Sequence, residues 1–212
     1  MDFLRIANKI ASVDDMLLNE IQQLMNDHWD PDLKGTPIDP KDVHEIGNYL
    51  VIFSDYVMEH IKERHKTKSS PGSYLDPSVN IKEVAFDIIK SKSPTENSEK
   101  FTNWFGVDLG RNVGFMGVAL TTPEEANKME MTTVENKLPN DTIKKEIYPV
   151  SRGKRLSTSV ASVISSKVGE LSNGKMCIYI VTMYAGGDSV NGEKIPRERS
   201  EFADKGFYFV VE

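Results

Sequence analysis

A single cysteine, Cys177, in 212 residues excludes an internal disulfide and a cysteine-rich zinc site. It sits inside an apolar, strand-like run, where a buried and inert thiol is expected. The four histidines, His28, His44, His60 and His65, stand in no metal-ligand spacing, so neither a metal nor another cofactor is expected. Long apolar runs are missing too. Nothing approaches about 18 consecutive apolar residues, and no basic-then-apolar leader opens the chain. The expectation is a cytoplasmic protein with no membrane span and no secretory signal. An excess of positive charge is also lacking, with 26 Lys/Arg against 32 Asp/Glu and a net charge of −6. This argues against a protein that coats nucleic acid nonspecifically, but leaves room for a local cationic site. The deficit is concentrated in residues 1–60, which hold 4 Lys/Arg and 12 Asp/Glu. Such a stretch reads as a solvated helical face, with docking of a partner protein as its alternative use.

The length suits one domain with an appended helical segment, divided here as 1–40 (helical) and 41–212 (the α+β body). Apolar spacing from Asp2 to His28 predicts one or two helices, and the prolines between Asp30 and Pro40 predict a loop. Ile46, Leu50, Phe53, Val57 and Ile61 recur at steps of four, three, four and four, which predicts a long amphipathic helix from Asp42 to His65. A second helix is expected from about Pro77 to Ser91, stopped before Pro94. The period then becomes strand-like. A hairpin is expected with Arg111-Asn112 near its turn, a polar excursion over Pro123–Asp141, and a candidate strand over Ile147–Ser162, interrupted at Arg152-Gly153-Lys154. Met176–Tyr184 is expected as a central strand and Phe207–Val211 as the last one. Helices first and strands later predict an α+β fold with a mostly antiparallel sheet.

At about 100° per residue, Arg64 falls near the centre of the apolar stripe, with His60 and His65 on its two margins. A helix-end reading is open, in which Arg64 snorkels and the cations offset the helix dipole. The chemical reading is metal-independent cleavage of RNA. That reaction needs a base for the 2′-hydroxyl, an acid for the departing 5′-oxygen, and donors for the charge on phosphorus. Imidazole serves as either acid or base, and arginine forks onto phosphate oxygens. Thr182 and Tyr184, two apart on a strand, can add hydroxyls on one face.

The helix His60-Ile61-Lys62-Glu63-Arg64-His65, the second helix ending near a proline, and a late strand ending Thr182-Met183-Tyr184-Ala185-Gly186 resemble the barnase–EndoU–colicin–RelE nuclease superfamily, its phage-associated branches most of all. The resemblance covers roughly residues 50–212. It implies a small ribonuclease of toxin or phage type, acting in the cytoplasm, with His60, Arg64 and His65 on the helix and Thr182 and Tyr184 on the strand. Lys144, Lys145, Arg152, Lys154 and Arg155, with Tyr148 among them, form a basic cluster that can track an RNA backbone or serve as a solvated edge. Trp29 and Trp104 can stack on bases or anchor the core.

A second resemblance points elsewhere. Ser157-Thr158-Ser159 followed by Glu198-Arg199-Ser200-Glu201 is similar to the serine and late glutamate motifs of mono-ADP-ribosyltransferases. It implies NAD-dependent transfer, with Arg111 on the NAD phosphates, Ser157 bracing the site and Glu201 as the catalytic carboxylate. The non-enzymatic alternative is a phage protein that binds and inhibits a host factor through its acidic front.

Overall fold

The computed structural model describes residues 15–65, 73–137 and 143–211. Its main sheet has six strands in the order β1 (Val43–Ile46), β2 (Tyr49–Ile52), β12 (Met176–Ala185), β11 (Val160–Glu170), β5 (Thr102–Asp108) and β4 (Glu96–Asn97). Every pairing is antiparallel except β2 with β12. Helices α1 (Asp15–Asn26), α2 (Asp55–His65) and α3 (Ile81–Ser91) pack on this sheet. Ile21 and Met25 of α1, Val57 and Ile61 of α2, and Val84 and Ile88 of α3 share one core with its strands. The fold is α+β and mostly antiparallel. Among the described residues no helix is long and apolar enough to cross a membrane.

The expected long helix from Asp42 is corrected. Only Asp55–His65 is α-helical; Asp42 ends a short 3-10 turn, and residues 43–52 form the β1–β2 hairpin. Gly47 opens the two-residue turn at φ +58, a conformation glycine adopts without steric cost. Leu50, Val51, Ile52 and Phe53 are all buried, so this run is covered on both faces, as befits a strand paired parallel to a central neighbour. Ser54 then starts α2, its side-chain oxygen accepting from the Val57 N–H at 3.3 Å. The second helix begins at Ile81, later than expected, because Asn80 caps it by accepting from the Lys82 and Glu83 N–H groups.

The expected hairpin around Arg111-Asn112 is also corrected. Asp108 accepts from the Gly110 N–H, Gly110 takes φ +67, and the chain leaves the main sheet. It enters a short sheet of β10 (Leu156–Thr158), β6 (Gly114–Met116) and β3 (Tyr74–Leu75). At Gly114 a Cβ would stand 2.4 Å from the Tyr74 carbonyl oxygen and 2.6 Å from Ala185 Cβ, so only glycine lets these strands approach.

The expected polar excursion holds more structure than its composition suggests. Thr122 and Glu125 form a capping box on α4 (Pro123–Ala126). A second sheet follows, ordered β7 (Val118–Leu120), β15 (Phe207–Val211), β9 (Ile143–Arg152) and β8 (Glu130–Lys137). Its core is Tyr148, Val150, Phe202, Phe207 and Phe209, with Val190 from the small hairpin of β13 (Ser189–Val190) and β14 (Glu193–Lys194). Met176–Ala185 is central in the main sheet, as expected.

Candidate active-site cleft

A cleft of about 770 Å³ opens where α2 and β12 face the second sheet. His60 and Glu63, one helical turn apart on α2, line one side. Thr182 and Tyr184 of β12 line it as well, and Tyr148 and Phe209 of the second sheet form the opposite wall. Asp188, Arg197 and Arg199 come from the segment that returns from β12 towards β15. The Ile195 N–H donates to the Asp188 carbonyl at 2.8 Å, folding that segment back over the cleft.

A bulge sets the β12 side chains. Ile164 pairs with Thr182 and Ser165 with Ile180, so Val181 has no opposite residue in the ladder. Ile180 and Met183, three apart, therefore both join the main core. Thr182 and Tyr184 are left on the cleft side. Burial raises the Tyr184 phenol pKa, a hydrogen bond with Ser162 opposes the rise, and the Asp188 charge adds to it. The phenol is thus a proton-bearing donor at neutral pH. The buried Thr182 hydroxyl has no hydrogen-bond partner among the described residues.

Of the residues singled out from sequence, His60, Thr182 and Tyr184 come together in this cleft. The side chains of Arg64, His65 and Lys144 lie outside the described residues. The remaining basic residues do not line the cleft. Lys145 pairs with Glu135 across β8 and β9 at 2.7 Å, and Arg152 is exposed at the end of β9. Lys154 borders a separate groove with Leu156 and Tyr208. Arg155 corrects its expected place on a solvated or RNA-tracking edge. It is only 2 % exposed, its Nε donates to the Val210 carbonyl at 3.0 Å, and its guanidinium lies 4.9 Å from the Tyr74 ring centroid. It joins the second sheet to the short one. Arg155→Ala is expected to cost about 1–3 kcal/mol, since it strips the Val210 carbonyl of a donor. Chemical denaturation checks this.

The transferase residues stand apart from the cleft. Arg111 pairs with Asp87 at 2.6 Å, Glu201 pairs with Lys205 at 2.5 Å, and Ser157 is exposed on β10. Trp104 is fully buried, while Trp29 is 39 % exposed beside Phe101 and Lys100. Sequence reasoning missed Arg197, Arg199, Asp188 and Glu63 as cleft residues. Glu63 alone had a local signal, three positions after His60 on one helix face.

Neither protein-family models, nor curated proteins, nor solved structures yield a match to this chain.

Proposed function

We propose that the chain is an endoribonuclease that cleaves RNA through its own 2′-hydroxyl, without a metal. The observation carrying this reading is that an imidazole, two strand hydroxyls and two guanidiniums line one cleft large enough for a nucleotide. Two helices, α2 and α3, followed by the antiparallel strands β5, β11 and β12 also support it, being the order that the nuclease resemblance implies.

In the proposed reaction a base takes the 2′-hydroxyl proton, O2′ attacks phosphorus, and the bond to O5′ breaks as an acid protonates it. The products are a 2′,3′-cyclic phosphate and a free 5′-hydroxyl. His60 carries one of these protons. Glu63, on the same face of α2, and His65 at its end are the groups nearby in sequence for the other. Arg197, with Arg64 from the helix end, neutralises the non-bridging oxygens. Tyr184 and Thr182 donate to the charge that builds there. On this reading the enzyme works in the cytoplasm, that of the host where the chain is phage-encoded.

Single-stranded and structured RNAs incubated with the protein and excess chelator test it. The expected outcome is cleavage with 2′,3′-cyclic phosphate ends. Intact RNA, or 5′-phosphate ends, would remove the proposal. Labelling of a target from NAD would put the transferase in its place, and a tight complex with a host protein without either activity would favour an inhibitor.

A further inference from the structure

The wall contributed by the second sheet contains a group that the proposed reaction does not use. Tyr148 is fully buried, lines the cleft, and its hydroxyl has no hydrogen-bond partner among the described residues. A buried hydroxyl without a partner carries a desolvation cost that a native fold seldom leaves standing. Beside it, Arg199 lies over two rings, 5.2 Å from the Tyr148 centroid and 5.3 Å from that of Phe209. Its Nη1 is 3.8 Å from a Glu146 carboxylate oxygen, too far for a good hydrogen bond. Arg199 is thus held by ring faces, a loose ion pair and a close approach to the Tyr148 hydroxyl that falls short of a full hydrogen bond, so phenol and guanidinium stand side by side for a shared acceptor. Burial raises the phenol pKa and the Glu146 charge adds to the rise, while the Arg199 charge and its contact with the hydroxyl oppose it, so the phenol keeps its proton at neutral pH.

We infer that Tyr148 and Arg199 form a second anion subsite, which takes the phosphate of a nucleotide flanking the one being cleaved. A phosphate oxygen accepts from both the phenol and the guanidinium, so it satisfies the orphaned hydroxyl and neutralises the arginine together. The polar insertion that builds the second sheet then acts as a substrate-positioning wall, while the reacting groups stay on α2 and β12. The identity of the ligand rests on the ribonuclease reading; the anion subsite itself is testable without RNA.

The test is titration of the full chain with inorganic phosphate, followed by NMR, in parallel with melting curves. In Tyr148→Phe the apparent Kd is expected to rise about tenfold, the size of one hydrogen bond to a charged group. The melting temperature is expected to be equal or higher, because the hydroxyl removed had no protein partner. Arg199→Gln is expected to weaken phosphate at least as much, and it serves if Tyr148→Phe fails to fold. Arg152→Gln, exposed and outside the cleft, is expected to change nothing. Unchanged phosphate affinity in Tyr148→Phe or Arg199→Gln overturns the inference, the first meaning that water satisfies the phenol. An equal loss in Arg152→Gln also overturns it, in favour of diffuse attraction. Phosphate binding with this pattern but no RNA cleavage would retain the subsite and remove the ribonuclease. Cleavage without the pattern would do the reverse.

Discussion

Replacing His60 with alanine is expected to lower RNA cleavage by at least about 10²-fold, the low end for losing a general acid or base. The fold should tolerate the change. His60 is half-buried at the edge of α2, while Val57 and Ile61 of the same helix carry the packing against the main core. A cation near a helix C-terminus contributes about 0.3–1 kcal/mol, so that is the expected ceiling for a purely structural role. Cleavage rates and melting curves on one preparation separate the two roles. Lys62→Ala, exposed on the same helix and paired with Glu59, is the control and should cleave normally. If His60→Ala cleaves as fast as the parent, the assignment of this cleft fails.

Trp104→Ala is expected to cost about 3–5 kcal/mol, a large share of the roughly 5–15 kcal/mol that holds a domain together. The indole is completely buried in the middle of β5, edge-on to Tyr49 with ring centroids 5.5 Å apart. Its Nε1–H donates to the Lys92 carbonyl at 3.0 Å, beyond the end of α3. Truncation leaves a cavity in the main core and takes the donor from that carbonyl. A shift of the urea midpoint at constant slope measures the loss. Because Trp104 does not line the cleft, the fraction that stays folded should cleave at the parental rate. A loss of cleavage without a loss of stability would instead make Trp104 a base-stacking residue.

The apolar pattern identified the core better than it identified the elements. Ile46, Leu50, Phe53, Val57 and Ile61 are all buried, yet the first three belong to a hairpin and the segment after it. Steps of four and three fit a helix, but Gly47-Asn48 offers a turn and Tyr49–Phe53 an unbroken apolar run, both of which favour strands. Parallel pairing with β12 settles the competition, and that pairing is long-range. The β12 strand was legible because its apolar run is rich in β-branched and aromatic residues and ends at Gly186-Gly187, signals that favour a strand over a buried helix. Thr182 and Tyr184 were legible as a pair, although the bulge at Val181 that turns them towards the cleft has no sequence mark. Tyr148, Arg197 and Arg199 reach the cleft through the pairing of β15 with β9 and the return segment before it, which no local period encodes. Arg155 stands in a basic run and so read as solvent-facing. Its burial depends on Tyr74 and Val210, both distant in sequence.

The most direct test of the cleft as an RNA site is a titration of isotope-labelled protein with a 2′-O-methyl oligonucleotide, which binds as RNA does but has no 2′-hydroxyl to attack. Backbone amide shifts are expected to move together at His60, Tyr184, Gly187, Asp188 and Arg197, which surround the cleft. Residues such as Arg111 and Ser157, which do not line it, should stay still. Saturation with no change at the cleft residues, or with changes confined to Arg152 and Lys154, would contradict the assignment.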